Sequence, residues 1–182
     1  MKKNIVIING SLRKGSFNQV LLNYVKEKLE EKGVEVKQVK YDTIPYMNQD
    51  IEFPTPDLIA SIRQEVAQAN GVWIATPEYN GSIPGTIKNL LDWLSRPVAQ
   101  GEYGPPALIK DKNIAICGAG AVGAHGAIDE LKRVLGRMAA NPLDLVTGIA
   151  LPKSAFETGV FELSEENKKN LDIQIEAVLK VL

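Results

Sequence analysis

The chain has 182 residues, 45% of them hydrophobic and 24% charged, with a formal net charge of -1; this suits one domain (1–182) with a substantial core and gives no electrostatic case for a nucleic-acid or acidic-membrane partner. One cysteine excludes an intramolecular disulfide and fits a reducing cytoplasm. The apolar run after Met1-Lys2-Lys3 is too short for a signal peptide, and no stretch approaches the length of a membrane-spanning helix.

Taken in order, Asn4 to Ile8 is a short β-branched run that reads as a strand buried on both faces. The stretch Asn9 to Asn18 follows, then an amphipathic helix with Leu21, Val25 and Leu29 on one face, running to about Lys32, where Gly33 suits the C′ position. Val34 to Tyr41 alternates and predicts a strand nearer the sheet edge. After a loop with two prolines, Thr55-Pro56-Asp57 predicts a helix start, with Thr55 as N-cap and Pro56 as the first helical residue; Leu58, Ile62, Val66 and Ala69 keep one face apolar. Val72 to Thr76 reads as a third strand stopped by Pro77, and a helix from about Pro84 carries Ile87, Leu90, Leu91 and Leu94. Residues 95–110 form a Pro- and Gly-rich excursion. Asn113 to Cys117 predicts a fourth strand, Gly118 to Gly123 a loop, and the next helix carries Ile128, Leu131, Val134 and Leu135. A weak strand is expected around Pro142 to Val146, and Ser164 is expected to cap a last helix.

Strands alternating with helices imply parallel pairing through right-handed crossovers. Five parallel strands with helices on both faces make a three-layer doubly wound α/β fold, whose ligands bind beyond the carboxyl ends of the strands. The loops after strands one, three and four leave those ends, and all are rich in Gly, Ser and Asn.

The first loop is built to hold an anion. A helix start presents unpaired N–H groups and a favourable dipole; Gly10 and Gly15 allow close approach, Ser11, Ser16 and Asn18 donate hydrogen bonds, and Arg13 adds a charge-assisted contact. The plainer reading, Ser16 or Asn18 as a helix cap, needs only one such residue. The loop is neither the ATP-binding P-loop, lacking Gly-Lys-Ser/Thr, nor the dinucleotide fingerprint; a monophosphate fits. The Gly118 loop does match Gly-x-Gly-x-x-Gly, and Asp144 falls near where a ribose-binding acid is expected. Too little chain follows it for a dinucleotide fold, however, so a close-packed turn beside the ligand is favoured. His125 reads as a surface residue at a helix start, Cys117 as a core thiol, and Glu78 as either a base or a solvated loop carboxylate. No metal cluster or nucleophile constellation appears, so a bound cofactor is expected to carry the chemistry.

Gly10 to Asn18 resembles the phosphate loop of the NAD(P)H-dependent FMN reductase family, and Pro77-Glu78-Tyr79-Asn80-Gly81-Ser82 resembles its second flavin loop. Ile83 to Asn89 and Asp92-Trp93-Leu94-Ser95-Arg96-Pro97 continue the likeness, which covers about residues 3–140. It implies a flavodoxin-like fold with strand order 2-1-3-4-5. It also implies FMN held through its phosphate by Ser11, Arg13, Ser16, Phe17 and Asn18. Pro77, Glu78, Tyr79, Asn80 and Gly81 would line the isoalloxazine, with Ser82 at the loop end and Gly118 and nearby residues flanking the ring from the third loop.

The implied reaction is ping-pong. A hydride passes from NADH or NADPH to the flavin, and a small acceptor (a quinone, azo or nitro compound, chromate, or free flavin) then takes the electrons from the same face. No protein side chain acts as a catalyst and no metal is needed. The alternative is a flavodoxin-type electron carrier, although such carriers are strongly acidic; a flavin-sensing module is a third reading. The family also implies a homodimer or homotetramer, paired through the helix from Pro84 to Leu94 and the excursion after it, with Trp93 and Tyr103.

Overall fold

A computed structural model describes residues 3–104, 106 and 108–182. Strands β1 (Asn4–Asn9), β2 (Glu35–Gln38), β3 (Gly71–Thr76) and β4 (Asn113–Gly120) pair in parallel in the order β2-β1-β3-β4, and β5 (Asn141–Pro142) and β6 (Thr147–Ala150) both pair with β4. The sheet thus follows the expected 2-1-3-4-5 order, with its fifth position filled by two short pieces.

Alternation along the strands divides the core in two. Val6, Ile8, Val72, Ile74, Ile114 and Ile116 face helices α2 (Asp57–Gln68), α3 (Gly85–Leu94) and α4 (His125–Arg137). Ile5, Ile7, Trp73, Ala75, Ala115 and Cys117 face α1 (Phe17–Glu31) and α6 (Glu165–Leu179), while the six-residue α5 (Lys153–Thr158) lies between β6 and α6 in the chain. Because both faces are covered, the central strands are apolar throughout, which is why they read as continuous runs rather than as alternation.

Two terminators behave as their sequences predict. Gly33 (φ 79°) follows α1, with its N–H bonded to Glu30 and the Val34 N–H to Leu29, a Schellman stop. Ser164 and Asn167 form a reciprocal capping box at α6.

Three local expectations are corrected. Thr55 does not cap α2: its hydroxyl donates to the Glu52 carbonyl at 3.1 Å, and Pro56 takes the cap position, one residue later than expected. The fourth strand runs on through Gly118, Ala119 and Gly120, because β6 supplies partners as far as Ala150. The segment expected as the fifth strand, Pro142 to Val146, is where that strand breaks. Asn141 lies opposite Asn113 but Thr147 opposite Cys117, so two extra residues loop out. Gln174 of α6, buried, fills the gap by donating to the carbonyls of Ile116 (2.8 Å) and Leu145 (2.9 Å).

Cys117 is the expected core thiol. It is fully buried, receives the Trp73 indole N–H at 3.2 Å, and burial pushes its pKa up to about 12. Native protein at pH 8 is therefore expected to leave a disulfide-exchange thiol reagent unconsumed, and denatured protein to consume one equivalent per chain. Rapid reaction of the native form would contradict this packing.

Candidate functional site

The site begins where β1 ends. The Gly10 N–H bonds the Ala75 carbonyl at 2.7 Å, and a Cβ on Gly10 would lie 3.1 Å from that oxygen, so only glycine passes comfortably beside β3. Asn9 shapes the turn that follows. Its side-chain oxygen accepts from the Ser11 N–H (3.0 Å), its amide donates to Gln19, and its backbone carbonyl accepts from the buried Tyr41 hydroxyl (2.6 Å).

The start of α1 is open. Ser16 stands at the N-cap position, yet its side chain caps nothing; the Oγ is buried without a protein hydrogen-bond partner. Backbone bonds run from Ser16 N–H to Arg13 and from Gln19 N–H to Ser16, leaving the N–H groups of Phe17 and Asn18 without a backbone acceptor. A buried hydroxyl beside two free helix-start N–H groups is an arrangement awaiting an acceptor. Arg13 lies above it with its guanidinium over the Phe17 ring, 4.6 Å from the centroid.

Asn18 has a second task. β3 ends at Thr76, paired with Gly118, while β4 continues, so the next residue, Ala119, has no strand on that side. The buried Asn18 carboxamide replaces it, accepting from the Ala119 N–H (2.9 Å) and donating to its carbonyl (3.2 Å). This tie fixes α1 against β4.

The loop after β3 is a tight hairpin. Tyr79 and Ser82 exchange both backbone hydrogen bonds (2.9 and 3.1 Å) around Asn80 (φ 55°) and Gly81 (φ 75°), the Asn-Gly pattern of a type I′ turn. Both ends are tied to α4. The Glu78 carboxylate, half-buried, accepts from the Ala127 N–H at 3.1 Å, in the first turn of α4, which ties the hairpin to that helix. The Ser82 hydroxyl donates to Glu130, and this bond, with the Ile83 N–H and Arg133, holds the Glu130 carboxyl below the usual range.

These loops enclose a cleft of about 430 Å³. Ser11, Arg13, Ser16, Phe17 and Asn18 form one end, and Pro77, Glu78 and Tyr79 one side. Asn80 and Gly81 are exposed at the hairpin tip and Ser82 is half-buried against Glu130; none of the three is among the lining residues. Gly118 is also out of the lining, buried inside β4, where a Cβ would lie 2.7 Å from the Thr76 carbonyl oxygen and 2.9 Å from the Ala124 Cβ. The neighbouring residues expected with it, Ala119, Gly120 and Ala121, form the wall at this level. The Gly-x-Gly-x-x-Gly pattern is therefore a packing pattern here and not a nucleotide turn; Asp144 is exposed in the strand break. His125 begins α4 on the surface, its ring lying over Gly123 and Gly148. The remaining wall, missed at the sequence level, is Leu151, Ala155, Phe156 and Gly159; these apolar and small residues follow Pro142 in a segment without a motif.

An anion pocket on an open helix start, continuous with a flat cleft between a rigid hairpin and small residues of β4, suits a phosphorylated planar ligand. Residues 3–150 match the family model described as NADPH-dependent FMN reductase. The chain belongs to this family. It is an NAD(P)H-dependent enzyme with FMN as cofactor. It is similar to the quinone reductase of Escherichia coli (strain K12), with 33% identity over 161 residues covering 87% of this chain and 84% of that one. A Pseudomonas aeruginosa NAD(P)H-dependent FMN reductase is 30% identical over 173 residues, covering 94% and 90%. Among solved structures, the flavoenzyme NAD(P)H:(acceptor) oxidoreductase FerB from Paracoccus denitrificans superposes with a TM-score of 0.80 at 25% identity, covering 98% of each chain.

Proposed function

We propose that the whole chain is one FMN-binding domain that takes reducing equivalents from NADH or NADPH and delivers them to a small acceptor, quinones foremost, by a ping-pong cycle. The observation that carries this reading is the orphaned Ser16 hydroxyl at the open start of α1. Ser11, Arg13, Ser16 and the N–H groups of Phe17 and Asn18 hold the FMN phosphate, each bond to a dianion being charge-assisted. Pro77, Glu78 and Tyr79 line the ring, and the Asn80-Gly81 turn keeps their backbone in a fixed shape before any ligand arrives. Bound FMN supplies hydride uptake and electron release. The protein's own residues anchor, orient and limit access: Glu78 fastens the hairpin to α4, and Asn18 fastens the phosphate loop to β4. Among the described residues no cluster of His, Cys, Asp and Glu suited to a metal ion occurs, and no helix is long and apolar enough to cross a membrane.

The purified protein is expected to release FMN, identified by mass, and to oxidise NADH or NADPH steadily once a quinone is added. Release of FAD alone, or an absence of turnover with quinone, azo, nitro, chromate and free-flavin acceptors, would overturn the reading and leave an electron carrier. A cytoplasmic location fits the single buried thiol.

The homodimer or homotetramer belongs to the same proposal with one revision. Trp93 is buried, its indole N–H donating to the Pro45 carbonyl at 2.9 Å, so it packs within the subunit and not between subunits. Tyr103, 96% exposed, and Val98, 53% exposed, remain as outward apolar groups of the excursion. Light scattering is expected to give a dimer or tetramer at micromolar concentration; a monomer would count against it.

A further inference from the structure

The cleft has walls of two origins. Ser11, Ser16, Pro77, Tyr79 and Ala119 belong to the part matched by the family model, which ends at residue 150. The opposite wall begins at the next residue, Leu151, and continues through Ala155 and Phe156 to Gly159. It is the portion of the site outside what the family model describes.

This wall is firmly seated. α5 is anchored by the buried Ala155 and ended by Gly159 at φ 73°. The Phe156 ring meets Phe17 edge-on, with centroids 5.9 Å apart and planes at 85°, and Phe17 meets Phe161 in the same way at 6.1 Å. Arg13 stacks on the same Phe17. Phe156 is thus oriented by a residue of the phosphate loop, yet it stays 56% exposed; Tyr79, which lines the same cleft, is 51% exposed. Two large aromatic side chains left open on one cleft have area to bury against a flat ring. The cleft-lining residues from Leu151 to Gly159 carry no charge; the cleft's cation, Arg13, lies over Phe17 and is assigned to the phosphate, and its carboxylate, Glu78, bonds α4.

We infer that Phe156 is a specificity-determining residue that selects flat aromatic acceptors, quinones in particular, over inorganic oxyanions; the inference rests on the reductase reading above. A quinone ring buries area against Phe156 that chromate does not have, whereas an anion gains nothing from an apolar wall.

The test compares wild-type holoenzyme with Phe156→Ala and Phe156→Tyr, using 2-methyl-1,4-naphthoquinone and chromate as acceptors. With FMN saturating in every assay, the ratio of kcat/KM for the naphthoquinone to that for chromate is expected to fall about tenfold in Phe156→Ala and to stay within about twofold in Phe156→Tyr. Calorimetric titration with naphthalene-2-carboxylate, a flat ring that accepts no electrons, is expected to show the same tenfold weakening in Phe156→Ala alone. Equal losses for both acceptors would overturn the inference by placing Phe156 in the flavin bed. Wild-type protein that oxidises NAD(P)H with neither acceptor would overturn the reductase reading instead.

Discussion

Gly118→Ala lowers the melting temperature by about 10 °C, whereas Gly120→Ala, two residues along the same strand, leaves it nearly unchanged. A methyl at Gly118 would lie 2.7 Å from the Thr76 carbonyl oxygen and 2.9 Å from the Ala124 Cβ. The first neighbour is backbone of a paired strand and cannot rotate away. Overpacking of this kind costs about 3 kcal/mol, and in a chain of this size each kcal/mol moves the midpoint by about 2–4 °C. At Gly120 the nearest atom, the Ala124 N, is 3.4 Å away, an ordinary contact. The Gly118 change also displaces Thr76, the residue before the Pro77 hairpin, so FMN affinity falls with stability. Thermal melts of both variants check this; equal sensitivity at the two positions would contradict the difference in packing between them.

Arg13→Ala weakens FMN about ten- to a hundredfold. It removes a charge-assisted contact worth roughly 1.5–3 kcal/mol, and each 1.4 kcal/mol is tenfold in affinity. Ser16→Ala acts in the same direction on a smaller scale. Without flavin the two readings of Ser16 diverge. If its hydroxyl capped α1, Ser16→Ala would lose about 1 kcal/mol of stability. The Oγ is buried with no partner, so the flavin-free mutant is instead expected to melt at or slightly above the wild-type temperature. With FMN in excess both mutants melt lower than wild type, because weaker binding contributes less stabilisation. Calorimetric titration and melts with and without FMN separate these outcomes.

Much of this was legible in the sequence, for physical reasons. Central strands buried on both faces announce themselves as apolar runs, and the Gly33 and Ser164 terminators carry stereochemistry that few other residues supply. The first loop stands out because it holds more donors than a cap requires. Asn18, Glu78 and Ser82 are harder: the groups suited to bind a ligand are the same groups that bond elsewhere in the protein. Asn18 is spent on Ala119, Glu78 on Ala127, and Ser82 on Glu130, pairings between residues far apart in sequence. Gly118 was ambiguous for a similar reason, since a glycine needed for strand–helix contact looks like one needed for a turn. The break in the fifth strand depends on Gln174, whose long-range role leaves no local trace. The wall from Leu151 to Gly159 had no polar pattern at all, because its contribution is surface and shape.

The central claim is that the first loop reads a phosphate. Titrating flavin-free wild-type protein with FMN and with riboflavin, which differ by that group alone, tests it directly. Arg13, Ser11, Ser16 and the two helix-start N–H groups acting on a dianion predict at least about a hundredfold preference for FMN, reduced in Arg13→Ala while riboflavin affinity stays the same. Equal affinity of wild-type protein for the two flavins would contradict the account.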